Sequence, residues 1–386
     1  MKHISYGRHC IDQKDLKSVA KALRSDYLTQ GPMIEKFERA FADYCGAKYA
    51  VCVSSGTTAL HLACIVAGLK KGDEAITAPI TFLATPNSII YTGAKPVFAD
   101  IDYETVNIDP KQITKKISKR TRAILPVHFG GLPCNMPEIF RISKRHELTL
   151  IEDACHALGA EYRYKGKWYR VGSCKHSDMT VFSFHPVKHI TTGEGGAITT
   201  NNYNYYQRLK ALRSHGVYKS AEIARKKGSW YYEMRELGFN YRITDFACAL
   251  GLSQLKKVNK FLSRRREIAS AYNKVFEGID NIKIPFRLED RKCSYHLYVI
   301  KIDFKKYGLS RKIFMNSLKR LGIGAQVHYI PVYSQPYYRE HFPSNPNLYP
   351  NSEKYYSSAI SIPIFPDMSS ADMKYVTKTI IKVLSN

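Results

Sequence analysis

The chain has 386 residues, of which 44% are hydrophobic and 24% charged, and its net charge is +26. This length accommodates a large domain plus a smaller one, and the composition excludes a disordered chain. No apolar run is long enough to cross a bilayer, and the first eight residues contain no apolar signal core. We therefore predict a cytoplasmic protein without a membrane partner.

The positive charge is spread along the chain in short clusters, which favours anionic partners in general. Nucleic acid is an alternative partner on charge alone, but no nucleic-acid-binding motif is present, so we predict none. The nine cysteines are odd in number and contain no C-x-x-C pair. We predict free thiols in a reducing compartment and no metal site.

Short apolar runs alternate with helical patterns through the first 215 residues. This alternation predicts an α/β domain with a largely parallel sheet. The predicted strands are 49–53, 75–78, 97–99, 123–127, 148–153, 179–184 and 196–200.

A long amphipathic helix is predicted over 255–275, and it leads into a smaller α+β unit. That unit has predicted strands at 295–300 and 324–329 and a helix at 310–321 between them. The stretch 331–351 is rich in Pro and Tyr and predicts a loop. We predict a large domain over 1–254 and a smaller one over 255–386.

A strand, a glycine turn and a helix follow one another at 51–60. The free N–H groups and the positive dipole end of such a helix suit a phosphate, and glycine lets the backbone approach closely. The hydroxyls of Ser55, Thr57 and Thr58 are candidate donors. Ordinary N-capping by these residues is the alternative.

Lys188 lies between an apolar strand and the glycine-rich turn 193–196. A lysine held away from bulk water loses its proton more readily, and such lysines form Schiff bases with carbonyl compounds, including pyridoxal phosphate. Asp153 ends a predicted strand, at the edge where open α/β sheets bind ligands. A carboxylate there can keep a pyridine nitrogen protonated, with helix capping as the alternative. Phe82 offers a ring to an aromatic cofactor or to the core.

These segments occur in order with two further ones, Ser183-Phe184 and the run Gly-Phe-Asn-Tyr-Arg-Ile-Thr-Asp at 238–245. The combined pattern resembles the DegT/DnrJ/EryC1/StrS family of sugar aminotransferases over nearly the whole chain. The resemblance implies the fold of PLP-dependent transferases of fold type I, which is similar to aspartate aminotransferase. That fold has a mostly parallel seven-stranded sheet and a smaller C-terminal α+β domain.

The resemblance also implies the cofactor, pyridoxal 5′-phosphate (PLP), which passes through a pyridoxamine phosphate form, and the residues around it. Lys188 would form the Schiff base and move the proton, and Asp153 would pair with the pyridine nitrogen. His156, where many relatives carry Gln, would lie near the ring hydroxyl, and Phe82 would stack on the ring. The phosphate would be held by Gly56, Thr57 and Ser183.

Asn240 would reach the phosphate from a partner subunit, which implies a homodimer with shared active sites. Tyr6, His328 and Tyr329 match positions near the sugar. Three further histidines, His185, His189 and His215, are predicted to be structural. Whether Arg8 and Arg242 bind substrate phosphates or form surface ion pairs stays open.

The implied reaction moves an amino group from L-glutamate to C4 of a nucleotide-linked 4-keto-6-deoxy sugar. The run 183–196 is most similar to enzymes of the pseudaminic acid pathway, which act on UDP-2-acetamido-2,6-dideoxy-β-L-arabino-hexos-4-ulose. The alternatives are an aminotransferase for another UDP- or dTDP-keto sugar and an inactive sugar-binding regulator. A dehydratase of the same fold would carry His in place of Lys188.

Overall fold

The computed structural model describes residues 3–219 and 221–385. Within them the strands are β1 (Tyr49–Val53), β2 (Glu74–Thr77), β3 (Lys95–Phe98), β4 (Thr121–Leu125), β5 (Thr149–Asp153), β6 (Glu161–Tyr164), β7 (Lys167–Arg170), β8 (Met179–Ser183), β9 (Gly196–Thr200), β10 (Val217–Tyr218), β11 (Glu233–Met234), β12 (Ile282–Lys283), β13 (Arg291–Lys292), β14 (Tyr298–Ile302) and β15 (Ala359–Ile362). The helices are α1 (Gln13–Leu23), α2 (Pro32–Cys45), α3 (Gly56–Val66), α4 (Ala84–Ile90), α5 (Pro110–Lys116), α6 (Met136–Arg145), α7 (Tyr203–Arg213), α8 (Ala221–Lys227), α9 (Asp245–Leu255), α10 (Val258–Phe276), α11 (Arg311–Arg320), α12 (Pro336–His341), α13 (Pro350–Ser358) and α14 (Ser370–Ser385).

The central sheet has seven strands in the order β1-β9-β8-β5-β4-β2-β3. Every neighbouring pair from β8 to β3 is parallel, and β9 alone runs antiparallel to both of its neighbours. The predicted mostly parallel seven-stranded sheet is confirmed, and each of the seven strands predicted in the first 215 residues overlaps an observed one.

The sheet is buried on both faces because its strands are apolar on both sides. In β1, Ala50 and Cys52 belong to one core cluster, whereas Val51 and Val53 belong to another. Helix α2 packs on β1 from the first side, and α3 packs on β8 and β9. This layering leaves the carboxyl ends of the parallel strands free to form a site.

The C-terminal part forms an antiparallel sheet of β12, β14 and β15, which packs with α10, α11 and α14 around a separate apolar cluster. Ile4 belongs to this cluster, and its N–H donates to the Gly322 carbonyl at 2.8 Å. The N-terminal segment thus crosses to the C-terminal part. The domain division at 254/255 stays a prediction.

Two predictions for the C-terminal part are wrong. The stretch 324–329 is not a strand, because Gly324 bonds to Ile4 while Gln326 pairs with Ser361, so no single neighbour forms a ladder with it. The predicted loop over 331–351 contains α12, two 3₁₀ turns and the start of α13. Three of its five prolines, Pro336, Pro346 and Pro350, are the first residues of helical turns, where a missing N–H costs little.

The other differences concern short or adjoining elements. The predicted helix over 255–275 begins at Val258, after α9 has ended at Leu255. The hairpin of β6 and β7, which pairs with β13, was not predicted. All nine cysteines are free, as predicted. In the described part of the chain, no helix has both the length and the apolar composition needed to cross a membrane.

Candidate active site

A cavity of about 400 Å³ lies where β5 and β8 end, between the sheet and the C-terminal part. The predicted site residues meet there, with the exception of Asn240. Those that line the cavity are Tyr6, Gly56, Thr57, Phe82, Asp153, His156, Ser183, Lys188, His328 and Tyr329.

One end of the cavity is the N-terminus of α3. Ser55 caps this helix: its Oγ accepts from the Thr58 N–H at 3.1 Å, while Thr58 Oγ1 accepts from the Ser55 N–H at 3.0 Å. The capping interpretation is therefore correct for Ser55 and Thr58. The N–H groups of Gly56 and Thr57 have no acceptor within the helix, so they remain as donors for an anion.

Gly56 is packed tightly against the end of β8. A Cβ at this position would lie 2.8 Å from Ser183 Cβ and 3.3 Å from Cys155 Sγ. A side chain does not fit here, so the backbone of α3 and the Ser183 hydroxyl stand close together. Such a cradle, at the positive end of an 11-residue helix, suits a phosphate.

Asp153 is held by hydrogen bonds at both carboxylate oxygens. Thr85 Oγ1 donates to Oδ2 at 2.6 Å, and the Cys155 N–H donates to Oδ1 at 3.0 Å. The residue is only 5% exposed, and no salt bridge to it is formed among the described residues. A buried carboxylate favours a cationic partner, so Asp153 is suited to a protonated ring nitrogen.

The Lys188 side chain enters the cavity beside His296, with 3.4 Å between Nζ and His296 Nε2. Burial lowers the pKa of the Lys188 amine, although the neighbouring Cys155 and Asp153 oppose the shift. The neutral amine is the nucleophile, so a lowered pKa makes Lys188 more reactive at neutral pH.

His156 packs on His296, and their ring centroids lie 4.4 Å apart. Its Nε2 lies 3.1 Å from the Tyr329 hydroxyl, whereas its buried Nδ1 has no hydrogen-bond partner within the described part of the chain. Burial, reinforced by the charge of Lys188, lowers the pKa of His156 well below its usual range. A neutral ring with one unsatisfied nitrogen is thus left for a ligand atom.

Residues 9–381 match the DegT/DnrJ/EryC1/StrS aminotransferase family. The chain belongs to this family. It is 41% identical over 387 residues to the UDP-4-amino-4,6-dideoxy-N-acetyl-beta-L-altrosamine transaminase of Campylobacter jejuni, with 99% of this chain and 97% of that protein covered.

Solved structures of sugar aminotransferases have the same fold. PseC of Helicobacter pylori, an aminotransferase involved in the biosynthesis of pseudoaminic acid, superposes with a TM-score of 0.91 at 33% identity and 99% coverage of both chains. The PLP form of the Streptococcus pneumoniae putative sugar aminotransferase Spr1654 gives 0.90 at 27% identity, covering 99% of this chain and 98% of that one. The fold type I prediction is confirmed, and the chain is a PLP-dependent sugar aminotransferase.

The residues of this aminotransferase fit PLP. The glycine cradle at Gly56 matches a phosphate, the carboxylate of Asp153 matches a pyridinium, and the amine of Lys188 matches an aldehyde. Phe82 is 59% exposed at the cavity, 6.1 Å from the Tyr329 ring, so one of its faces is open to an aromatic ligand. The predicted role of each residue stays a prediction.

Asn240 does not line this cavity but lies at an exposed position between Phe239 and Tyr241. Two of the three residues predicted to lie near the sugar come together: the rings of Tyr6 and His328 are 5.4 Å apart, and His328 Nδ1 lies 2.7 Å from Ser361 Oγ.

The polar lining residues that the sequence analysis did not assign to the site include Thr85, Cys155 and His296. Cys155 lies two residues after Asp153, and this proximity in the sequence could have marked it as a residue of the site. His296 interrupts an apolar strand pattern, and a lone histidine there is more often structural. His189, for which a structural role was predicted, is buried, and its Nε2 lies 3.1 Å from the Ser294 carbonyl.

Proposed function

We propose that this aminotransferase moves the amino group of L-glutamate to C4 of a nucleotide-linked 4-keto-6-deoxy sugar, with UDP-2-acetamido-2,6-dideoxy-β-L-arabino-hexos-4-ulose of pseudaminic acid biosynthesis as its substrate. The observation that carries the proposal is the single cavity that brings Lys188, Asp153 and the N-terminus of α3 together. The names of the Campylobacter jejuni and Helicobacter pylori relatives support the choice of sugar.

Bound PLP supplies an aldehyde and an electron-withdrawing ring. Lys188 is the nucleophile that would hold its aldehyde, and Lys188 Nζ would take the proton from Cα of the amino donor. In the second half of the cycle Nζ delivers a proton to C4 of the sugar. Asp153 keeps the ring nitrogen protonated, since its buried carboxylate oxygens are fixed by Thr85 and Cys155.

The other residues orient the reactants. Gly56, Thr57 and Ser183 bind the phosphate through backbone and hydroxyl donors, and Phe82 covers the ring. His156 offers its free Nδ1 to the ring substituents.

The sugar occupies the side of the cavity lined by Tyr6, His328 and Tyr329. This side is closed by the N-terminal segment and by the C-terminal part, which both reach the cavity through these residues. L-Glutamate enters the same space in the other half of the cycle.

A second copy of the chain completes each site. The segment before Asn240 exposes large apolar side chains: Trp230 is 69%, Met234 62% and Leu237 77% exposed. Exposed apolar side chains grouped in this way mark a protein interface. We propose a homodimer in which Asn240 reaches the phosphate in the partner's cavity.

Trapping with borohydride tests the covalent link. The reduced PLP adduct is expected on the peptide that contains Lys188, and peptide mass spectrometry locates it. Lys188→Ala should lose transamination, whereas Lys175→Ala, at an exposed position, should keep it. An adduct on another lysine, or none at all, contradicts the proposal.

A panel of UDP- and dTDP-4-keto sugars with L-glutamate tests the substrate, with NMR of the aminated product. We expect turnover of the UDP-linked 2-acetamido sugar. If only a different keto sugar is turned over, the aminotransferase reaction stands and the proposed substrate is wrong.

Mixing inactive subunits tests the shared site. Lys188→Ala and Asn240→Ala homodimers should each be impaired, and heterodimers should regain part of the activity because one of their two sites is intact. If exchange of subunits is verified and no activity returns, the shared site is wrong.

A further inference from the structure

The cavity receives one side chain from the C-terminal part that the proposed reaction has not used, His296. Its backbone is pinned by Arg265, which is 1% exposed and donates from one guanidinium nitrogen to the carbonyls of Tyr295 at 3.2 Å, His296 at 3.4 Å and Ile364 at 3.0 Å. A buried guanidinium that satisfies three carbonyls holds this segment in one conformation.

Ser294, two residues before His296, is fixed by His156 and by His189, which follows Lys188 in the chain. Ser294 Oγ donates to the His156 carbonyl at 3.0 Å, and the Ser294 carbonyl lies 3.1 Å from His189 Nε2. Tyr295 has a φ of 50°, a left-handed conformation that costs a non-glycine residue about 1 kcal/mol or more. The fold maintains this conformation immediately before His296.

Within residues 3–219 and 221–385, the His296 ring makes one polar contact. Its Nε2 lies 3.4 Å from Lys188 Nζ, while its buried Nδ1 has no hydrogen-bond partner among the described residues. The ring is 4.4 Å from that of His156 and 5.7 Å from that of His189, and the residue is 5% exposed. When the Lys188 amine is protonated it has three donors and no acceptor, so the neutral His296 ring accepts at Nε2 in this contact.

We propose that His296 is a positioning residue for Lys188: its Nε2 accepts a hydrogen bond from Nζ and holds the free amine towards the cavity. This role rests on the proposed function of Lys188. When the amine is released from the cofactor during the cycle, His296 keeps it at the reacting carbon and stabilises its protonated form.

The charges around Lys188 are consistent with a neutral acceptor. Burial, together with the nearby Lys188, lowers the pKa of His296 well below its usual range, so the ring is uncharged at neutral pH. The titratable groups that face the amine from the surrounding segments are Tyr6, Asp153, Cys155, His156, His185, His189, Glu194, His296, His328 and Tyr329.

The test measures the Lys188 amine itself in protein freed of cofactor. Competitive acetylation over a range of pH, read by mass spectrometry of the Lys188 peptide, reports the pH at which the amine is half deprotonated. His296→Phe keeps a ring against His156 but removes the acceptor. The hydrogen bond favours the ammonium form, so its loss should lower the labelling midpoint by about one pH unit. At a fixed pH below the midpoint, the variant should therefore be labelled about tenfold faster than the unaltered protein.

His296→Gln retains a side-chain acceptor and should restore a midpoint close to that of the unaltered protein. His146→Phe, at an exposed position in the turn after α6, is the matched control and should leave it unchanged. If His296→Phe does not fold, as judged by circular dichroism, His296→Leu replaces it. A midpoint that stays or rises on loss of the acceptor, or a Gln variant that behaves like Phe, overturns the assignment.

Borohydride trapping of the cofactor-loaded protein keeps this inference separate from the proposed function. An adduct on Lys188 with unchanged labelling midpoints refutes the role of His296 alone. Absence of the adduct refutes the role of Lys188 in the reaction, and with it the catalytic meaning of the contact.

Discussion

Substitution of Gly56 by Ala would place a methyl group 2.8 Å from Ser183 Cβ and 3.2 Å from Ser183 Oγ. Overpacking of this kind costs about 1–3 kcal/mol. Replacement of a glycine by alanine within a helix returns up to about 1 kcal/mol. We expect a net loss of about 1–2 kcal/mol in the free energy of unfolding. The Ser183 hydroxyl must also shift, so the dissociation constant of PLP should rise about tenfold.

Urea unfolding of the cofactor-free protein measures the first effect, and an absorbance titration with PLP measures the second. Gly7→Ala is the matched control, because its added methyl group would lie 3.6 Å from Val187 Cβ, an ordinary contact. The double variant Gly56→Ala/Ser183→Gly removes the two nearest contacting atoms, so it should recover part of the stability without recovering PLP affinity. If Gly56→Ala leaves both quantities unchanged, the cradle is not as tight as we infer.

Three other changes probe the buried polar groups. Thr85→Val removes the donor to Asp153 Oδ2 and should lower the free energy of unfolding by about 1–3 kcal/mol. Thr85→Ser keeps the hydroxyl and should not lower it. Equal urea midpoints for the two variants would contradict this expectation. Arg213→Met leaves the Glu38 carboxylate buried without its ion pair. We expect the free energy of unfolding in urea to fall by about 3 kcal/mol. A fall of less than about 1 kcal/mol would show that this ion pair is not needed to keep Glu38 buried. Burial and the nearby Lys188 lower the pKa of His328 to about 4. Between about pH 6.5 and pH 4, His328 is therefore protonated in the unfolded chain but not in the folded protein. The free energy of unfolding of the cofactor-free protein should fall as the pH is lowered through this range. His328→Gln should reduce this fall in acid unfolding curves, and an unaltered curve would show that His328 does not carry it.

Much of the fold was predictable because the parallel strands are short apolar runs bounded by turns. The runs at 49–53 and 196–200 coincide with β1 and β9. The loop prediction for 331–351 was wrong because proline was interpreted as a sign of a loop, whereas three of the prolines begin helical turns here. The tyrosines Tyr333, Tyr338 and Tyr349 pack around Phe98 in place of being exposed.

The candidate site was predictable where function depends on the end of a strand or helix. Asp153 ends β5, and Gly56 begins α3, so local pattern placed both. Thr85 and His296 were not predictable in this way. Thr85 bonds to a residue 68 positions away, and His296 contacts one 108 positions away.

The sequence by itself determined the alternating strands and helices, the family pattern and the residues at the strand ends, because each of these is a local property of the chain. Only the tertiary structure decided that Gly56 packs on Ser183, which threonine holds Asp153 and which histidine meets Lys188. Local periodicity reports which side chains avoid water. The partner of a buried polar atom depends instead on how distant segments cross, and that is set by the packing of the whole chain.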